Sequence, residues 1–143
     1  MNARRALWLA ACLAAVLCER ARSGSPQDAI LGTWRGTSDC VDKVRFPACH
    51  DEVVVYDVTP SSIKTGAVTL DADKIVEGRR ADMGELELTY DAAAAQWVSE
   101  FQNARFHGLW TFKIEGDRLT ATLVDLPARR QIRAVTTRKQ GTK

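Results

Sequence analysis

The chain has 143 residues, 45% of them hydrophobic and 7% aromatic, which suits one domain built round a single core. Its net charge of +2 is owed to the first 23 residues, which hold four Arg and one Glu; the remainder has 16 basic and 17 acidic side chains, a net of −1. A balance so close to neutral lacks the electrostatic footprint of a nucleic-acid-binding protein.

Residues 1–23 have the layout of a secretory signal: a basic start, MNARR, an apolar run of 13 residues, ALWLAACLAAVLC, and a polar exit, ERARSGS. A membrane span needs about 20 apolar residues, so no such span is expected. Small residues at Ala21 and Ser23 put cleavage after Ser23, leaving one domain over residues 24–143 in a secreted or periplasmic location. The stretch LAAC, Leu9 to Cys12, resembles the lipobox of bacterial lipoproteins and raises the alternative of a lipid anchor on Cys12. Plain secretion is favoured, because the six residues after Cys12 keep the leader hydrophobic.

From residue 30 the pattern becomes short alternating runs broken by turn residues, as in an antiparallel sheet. ILGTWRGTS puts Ile30, Gly32, Trp34, Gly36 and Ser38 on one face. Cys40 and Cys49 follow, nine positions apart, and an exported pair of this kind is expected to form a disulfide closing the first long loop. HDEVVVYDV then places Val54, Tyr56 and Val58 on a common face. Residues 62–78 read as two short strands, SIKTGAVTL and DKIVEG, with Asp71 and Asp73 near the bend.

RRADMG is a weak stretch, after which ELELTYD alternates cleanly, with Leu86, Leu88 and Tyr90 inward. AAAA at 92–95 is too short to nucleate a helix and reads as a hairpin loop into QWVSEFQ, which carries Trp97 and Phe101. FHGLWTFKI lines up Phe106, Gly108, Trp110, Phe112 and Ile114. After the EGD turn, RLTATLVDL and RRQIRAVTTRK complete the set on either side of Pro127. The chain is therefore all-β, an antiparallel up-and-down barrel of about eight to ten strands, closed because closure removes exposed edges. A β-sandwich is the alternative. Residues 127–143 carry six Lys or Arg and no acid, which reads as a solvated last strand or as a patch for anionic surfaces.

Gly32 and Gly36 flank Trp34 on its own face, so the indole can lie across them while the strand bends, sealing one end of the barrel. GTW at the opening of the first strand also resembles the calycin superfamily, which includes the lipocalins and fatty-acid-binding proteins. The stretches GTWRGTSDC, ACHDEVVVY, ADKIVEG, MGELELTYD and EFQNARFHGLWTFKIEGDRLTATL are similar to a group of small exported bacterial lipocalin-like proteins of no established function. The resemblance implies a barrel whose narrow end is closed by Trp34, with a last-strand Arg packed over it, Arg133 or Arg138. It implies no catalytic residue. The chain departs from lipocalins in lacking their mid-chain Thr-Asp-Tyr fingerprint and C-terminal helix. It departs from fatty-acid-binding proteins in having only about ten residues where they insert a two-helix lid.

Reactive chemistry finds little support. His50 adjoins Cys49, but two Cys and one His at this spacing match no zinc pattern, so no metal or cofactor is expected. His107 falls opposite the Phe106–Trp110–Phe112 stripe and so faces outward, away from any haem-binding interior. No nucleophile–His–acid set, phosphate loop or dinucleotide fingerprint stands out, and Glu85, Glu87 and Glu100 fall on outer faces or near turns. The expected function is non-enzymatic: an exported monomeric barrel that binds a small hydrophobic or amphipathic ligand. Tyr56, Tyr90, Trp97, Phe101, Trp110 and Phe112 are the candidate lining residues, and Arg105 is the candidate cation for a ligand head group. The alternative is a filled barrel that presents its loops to another protein of the cell envelope, as partner or inhibitor.

Overall fold

The computed structural model describes residues 24–141; the leader and Cys12 lie outside the described residues. A short helix, α1 (Pro26–Ile30), leads into β1 (Gly32–Cys40), β2 (Glu52–Pro60), β3 (Val68–Val76) and β4 (Arg79–Asp91). β5 (Gln96–Gln102), β6 (His107–Glu115), β7 (Arg118–Asp125) and β8 (Arg130–Lys139) follow. Each strand pairs antiparallel with the next and β8 returns to β1, giving a closed eight-stranded up-and-down barrel. Closure gives every strand a partner on both sides, as the run of amphipathic strands predicts.

Two elements differ from the sequence-based expectation. Ile30 belongs to α1, not to the first strand. Ser25 and Asp28 form a reciprocal capping box there, with Pro26 opening the first turn. Residues 62–78 hold one strand, not two. Val68, Leu70 and Ala72 alternate inward while Asp71 and Asp73 occupy outward positions in mid-strand, so the acids mark a face and not a bend. The weak stretch RRADMG belongs to β4 and pairs with β3 through a bulge at Ala72/Asp73, where Met83 is the extra residue.

The connections sort the barrel into two ends. α1 and the β2–β3, β4–β5 and β6–β7 turns gather at one end, whose interior is filled by Ile30, Trp34, Val58, Val68, Leu88 and Leu119. Each such side chain contributes roughly 1.5–3 kcal/mol by leaving water. At the other end lie the β1–β2 loop, tied by the Cys40–Cys49 disulfide, and the β3–β4, β5–β6 and β7–β8 connections. The β4–β5 ladder has only three register pairs, all near the filled end. Toward the other end these two strands diverge.

Candidate functional site

The filled end is built round Trp34, which is wholly buried and donates from Nε1 to the Ile30 carbonyl at 2.8 Å. The register sets Lys139 of β8 directly opposite Trp34. Its Nζ lies 5.2 Å from the indole centroid and donates to the Ala29 carbonyl at 3.2 Å. Lysine therefore takes the place in which the resemblance implies Arg133 or Arg138. Arg133 pairs with Cys40, six residues along β1 from Trp34 and so about 20 Å away. Arg138 alternates to the outer surface and meets Asp117 at 2.7 Å. Gly32 has a positive φ of 115°, and a side chain there would press on Lys139. The space at Gly36 is used differently from the expectation: a Cβ would run into the backbone of Thr136 and Thr137, so this glycine lets β8 approach β1 and is not a bed for the indole.

Between this plug and the disulfide loop the interior is open. A cavity of about 280 Å³ is walled by Leu70, Ala72, Leu86, Phe101, Trp110 and Phe112, with Tyr56 at its side and Met83 and Gly84 of the bulge at its margin. Trp110 and Phe112 stack with centroids 5.6 Å apart at 30°, and Tyr56 meets Phe112 edge-on at 6.4 Å. Phe101 and Phe106 close over the position where Gly108 has no side chain.

The polar part of the wall is a compact cluster at the disulfide end. Arg133 Nη1 donates to Ser38 Oγ at 2.9 Å and lies 3.3 Å from Glu52 Oε2, while its Nη2 donates to the His50 carbonyl at 3.2 Å. The second Glu52 oxygen accepts from Lys74 at 3.3 Å. The side chains of Arg133 and Glu52 are each only 17% exposed, so this pair is shielded from solvent far more than a surface ion pair. Burial pushes the Tyr56 phenol well above its ordinary range; the nearby Arg133 acts weakly the other way. Above the cluster, Asp51 accepts from Lys43 at 2.6 Å and from the Cys40 N–H at 2.8 Å, fastening the loop to the rim.

The structure thus brings together Tyr56, Phe101, Trp110 and Phe112 of the expected lining residues. Tyr90 and Trp97 point inward but pack on each other at 5.1 Å near the filled end, beside α1, and do not line this cavity. Arg105 is exposed in the β5–β6 turn, where its N–H donates to Asn103 Oδ1; the cation of the cavity is Arg133. Ser38 and Glu52 are wall residues that the sequence reading did not single out. Their signal was parity: Ser38 shares its phase with Trp34, and Glu52 shares its phase with Val54 and Tyr56. His107 faces outward, 2.6 Å from Glu100. Glu85 is an outward position that nevertheless borders the cavity, because the divergence of β4 from β5 opens the wall beside it.

No protein-family model matches this chain, and no curated protein sequence matches it. Among solved structures, fatty-acid-binding protein 1 of Echinococcus granulosus is similar, with a TM-score of 0.51 and 15% sequence identity over 80% of this chain and 99% of that one. The two share the architecture of a closed antiparallel β-barrel. At that identity the likeness speaks for the architecture alone.

Proposed function

We propose that this protein is a carrier or sensor that holds one small hydrophobic or amphipathic molecule inside the barrel and performs no chemistry on it. The observation that carries the reading is the half-filled interior: a plugged end, then a cavity of about 280 Å³ with an apolar body and a polar cluster at one side. An apolar cavity of ~150 Å³ accommodates benzene, so this one suits a ligand with on the order of a dozen non-hydrogen atoms. The similar solved structure is named for binding fatty acids, which agrees with a hydrophobic occupant. In the wall, Ser38 and Glu52 are both engaged by Arg133, and no nucleophile is paired with a base there. Export, with residues 1–23 as a signal and a secreted or periplasmic address, belongs to the same reading, as does kinship with the exported bacterial lipocalin-like group. The Cys40–Cys49 disulfide suits an oxidising compartment, and among the described residues no helix is long and apolar enough to cross a membrane.

Titration of intrinsic tryptophan fluorescence with apolar dyes of graded size tests the proposal. Saturable binding of molecules near a dozen non-hydrogen atoms is expected, and no saturable binding at any size refutes it. The second reading, an interaction module, is favoured by one observation: Val41 and Val44 stand exposed on the disulfide loop, Val44 at 96%. Under that reading Val44→Asp abolishes capture of a partner from the native source, whereas under ligand binding it leaves dye affinity unchanged.

A further inference from the structure

The wall of the cavity states the charge of its occupant. Three charged residues border it, Arg133, Glu52 and Glu85, so the carboxylates outnumber the guanidinium. Both terminal nitrogens of Arg133 are engaged: Nη1 donates to Ser38 Oγ and faces Glu52, and Nη2 donates to the His50 carbonyl, which leaves one Nη2 N–H and the Nε N–H without a partner among the described residues. A ligand carboxylate seeking a bidentate grip on that fork meets Glu52 already in place, and its own charge is repelled by it. Lys74 offers no alternative grip inside, since it is occupied with the other Glu52 oxygen and more exposed. A ligand cation fares no better: Glu52 is already paired with both Arg133 and Lys74, and Glu85, the remaining carboxylate, is an exposed outward position at the cavity margin. The groups left to bind are hydroxyls. Ser38 Oγ accepts from Arg133 and keeps its own proton to donate, and Tyr56 Oη borders the cavity with no hydrogen bond to another described residue. Opposite them stands the stacked pair of Trp110 and Phe112.

Building on ligand binding as proposed above, we propose that the cavity selects uncharged amphipathic molecules, with a compact or aromatic body and one hydroxyl or carbonyl directed at Tyr56 and Ser38, and that Glu52 is the residue that rejects the corresponding anions. Glu52 acts by occupying Arg133 in place of a ligand carboxylate. It is a specificity residue.

Three bicyclic probes of similar size and different charge at pH 7 test this on the purified protein by calorimetry: 1-naphthol, 1-naphthoate and 1-naphthylmethylammonium. The wild-type protein is expected to bind naphthol about tenfold or more tighter than either ion. Glu52→Gln is expected to raise naphthoate affinity relative to naphthol about tenfold, because Arg133 is released. Naphthoate or the ammonium probe binding as tightly as naphthol to the wild type overturns the proposal. So does a folded Glu52→Gln variant that gains nothing for naphthoate relative to naphthol. The wild-type ranking stands as a test even where the variant fails to fold. If none of the probes binds, ligand binding itself fails, an outcome distinct from binding with the opposite charge preference.

Discussion

Single residues in this barrel divide into those that hold it shut and those that face its contents. Trp34 belongs to the first group. Truncation to Ala removes a wholly buried indole and its 2.8 Å bond to Ile30, at an expected cost of about 3–5 kcal/mol. Since Trp34 does not line the cavity, a Trp34→Ala protein that remains folded should keep its dye affinity within about threefold, a difference worth under 1 kcal/mol. Thermal melting and fluorescence titration of the same sample check both halves. Tyr56 belongs to the second group, and its phenol is held neutral by burial. The unfolded phenol ionises near pH 10 while the folded one keeps its proton to higher pH, so the unfolded state binds fewer protons above about pH 10. Stability should therefore fall as pH rises above 10, and Tyr56→Phe should flatten that limb in denaturant titrations between about pH 9 and 11. These two assignments were unequally legible. The Gly-x-Trp-x-Gly pattern announced a sealed end, yet Gly36 turned out to serve the approach of two backbones, a contact made by residues about a hundred positions apart.

At the scale of elements, the β1–β2 loop and the end of β8 carry the largest share of what was not foreseen. The disulfide closes a loop of about ten residues, which by unfolded-state entropy is worth roughly 2.5–3 kcal/mol. Reduction, or Cys40→Ser with Cys49→Ser, should lower unfolding free energy by about that amount, measured by urea denaturation with and without reductant. His50 and Asp51 tie the same loop to Arg133 and Cys40, so its release should also weaken naphthol binding. On β8, parity alone places Arg133, Val135, Thr137 and Lys139 on the inner face. It does not say which of the two basic residues reaches Trp34. That depends on the β1–β8 register, which no local pattern encodes. Merging the two short strands of residues 62–78 into β3 has a similar origin. Acidic residues are poor strand formers, but an outward position on a barrel wall tolerates them because the opposite face supplies the burial.

For the molecule as a whole, the decisive quantity is the interior that the eight strands leave unfilled. Ala72 lines the cavity opposite the aromatic pair, so Ala72→Leu should fill part of it. A folded protein of equal or higher melting temperature is expected, with naphthol affinity reduced at least about tenfold. Unchanged affinity would move the binding site out of the barrel. The cavity lies where the divergence of β4 and β5 meets the bulge at Met83, so two departures from regular pairing border it.

The sequence by itself determined the fold class, the inward face of nearly every strand, the disulfide and the sealed end. Each of these follows from alternation, turn chemistry or a distinctive residue pattern, all written within a few consecutive positions. Only the tertiary structure decided that Lys139 covers Trp34, that Arg133 is answered by Glu52, and that a cavity remains at one end. Those facts depend on register and closure between strands distant along the chain. Burial alternates the same way whether a barrel is solid or hollow, and so the pattern is silent about the space between its walls.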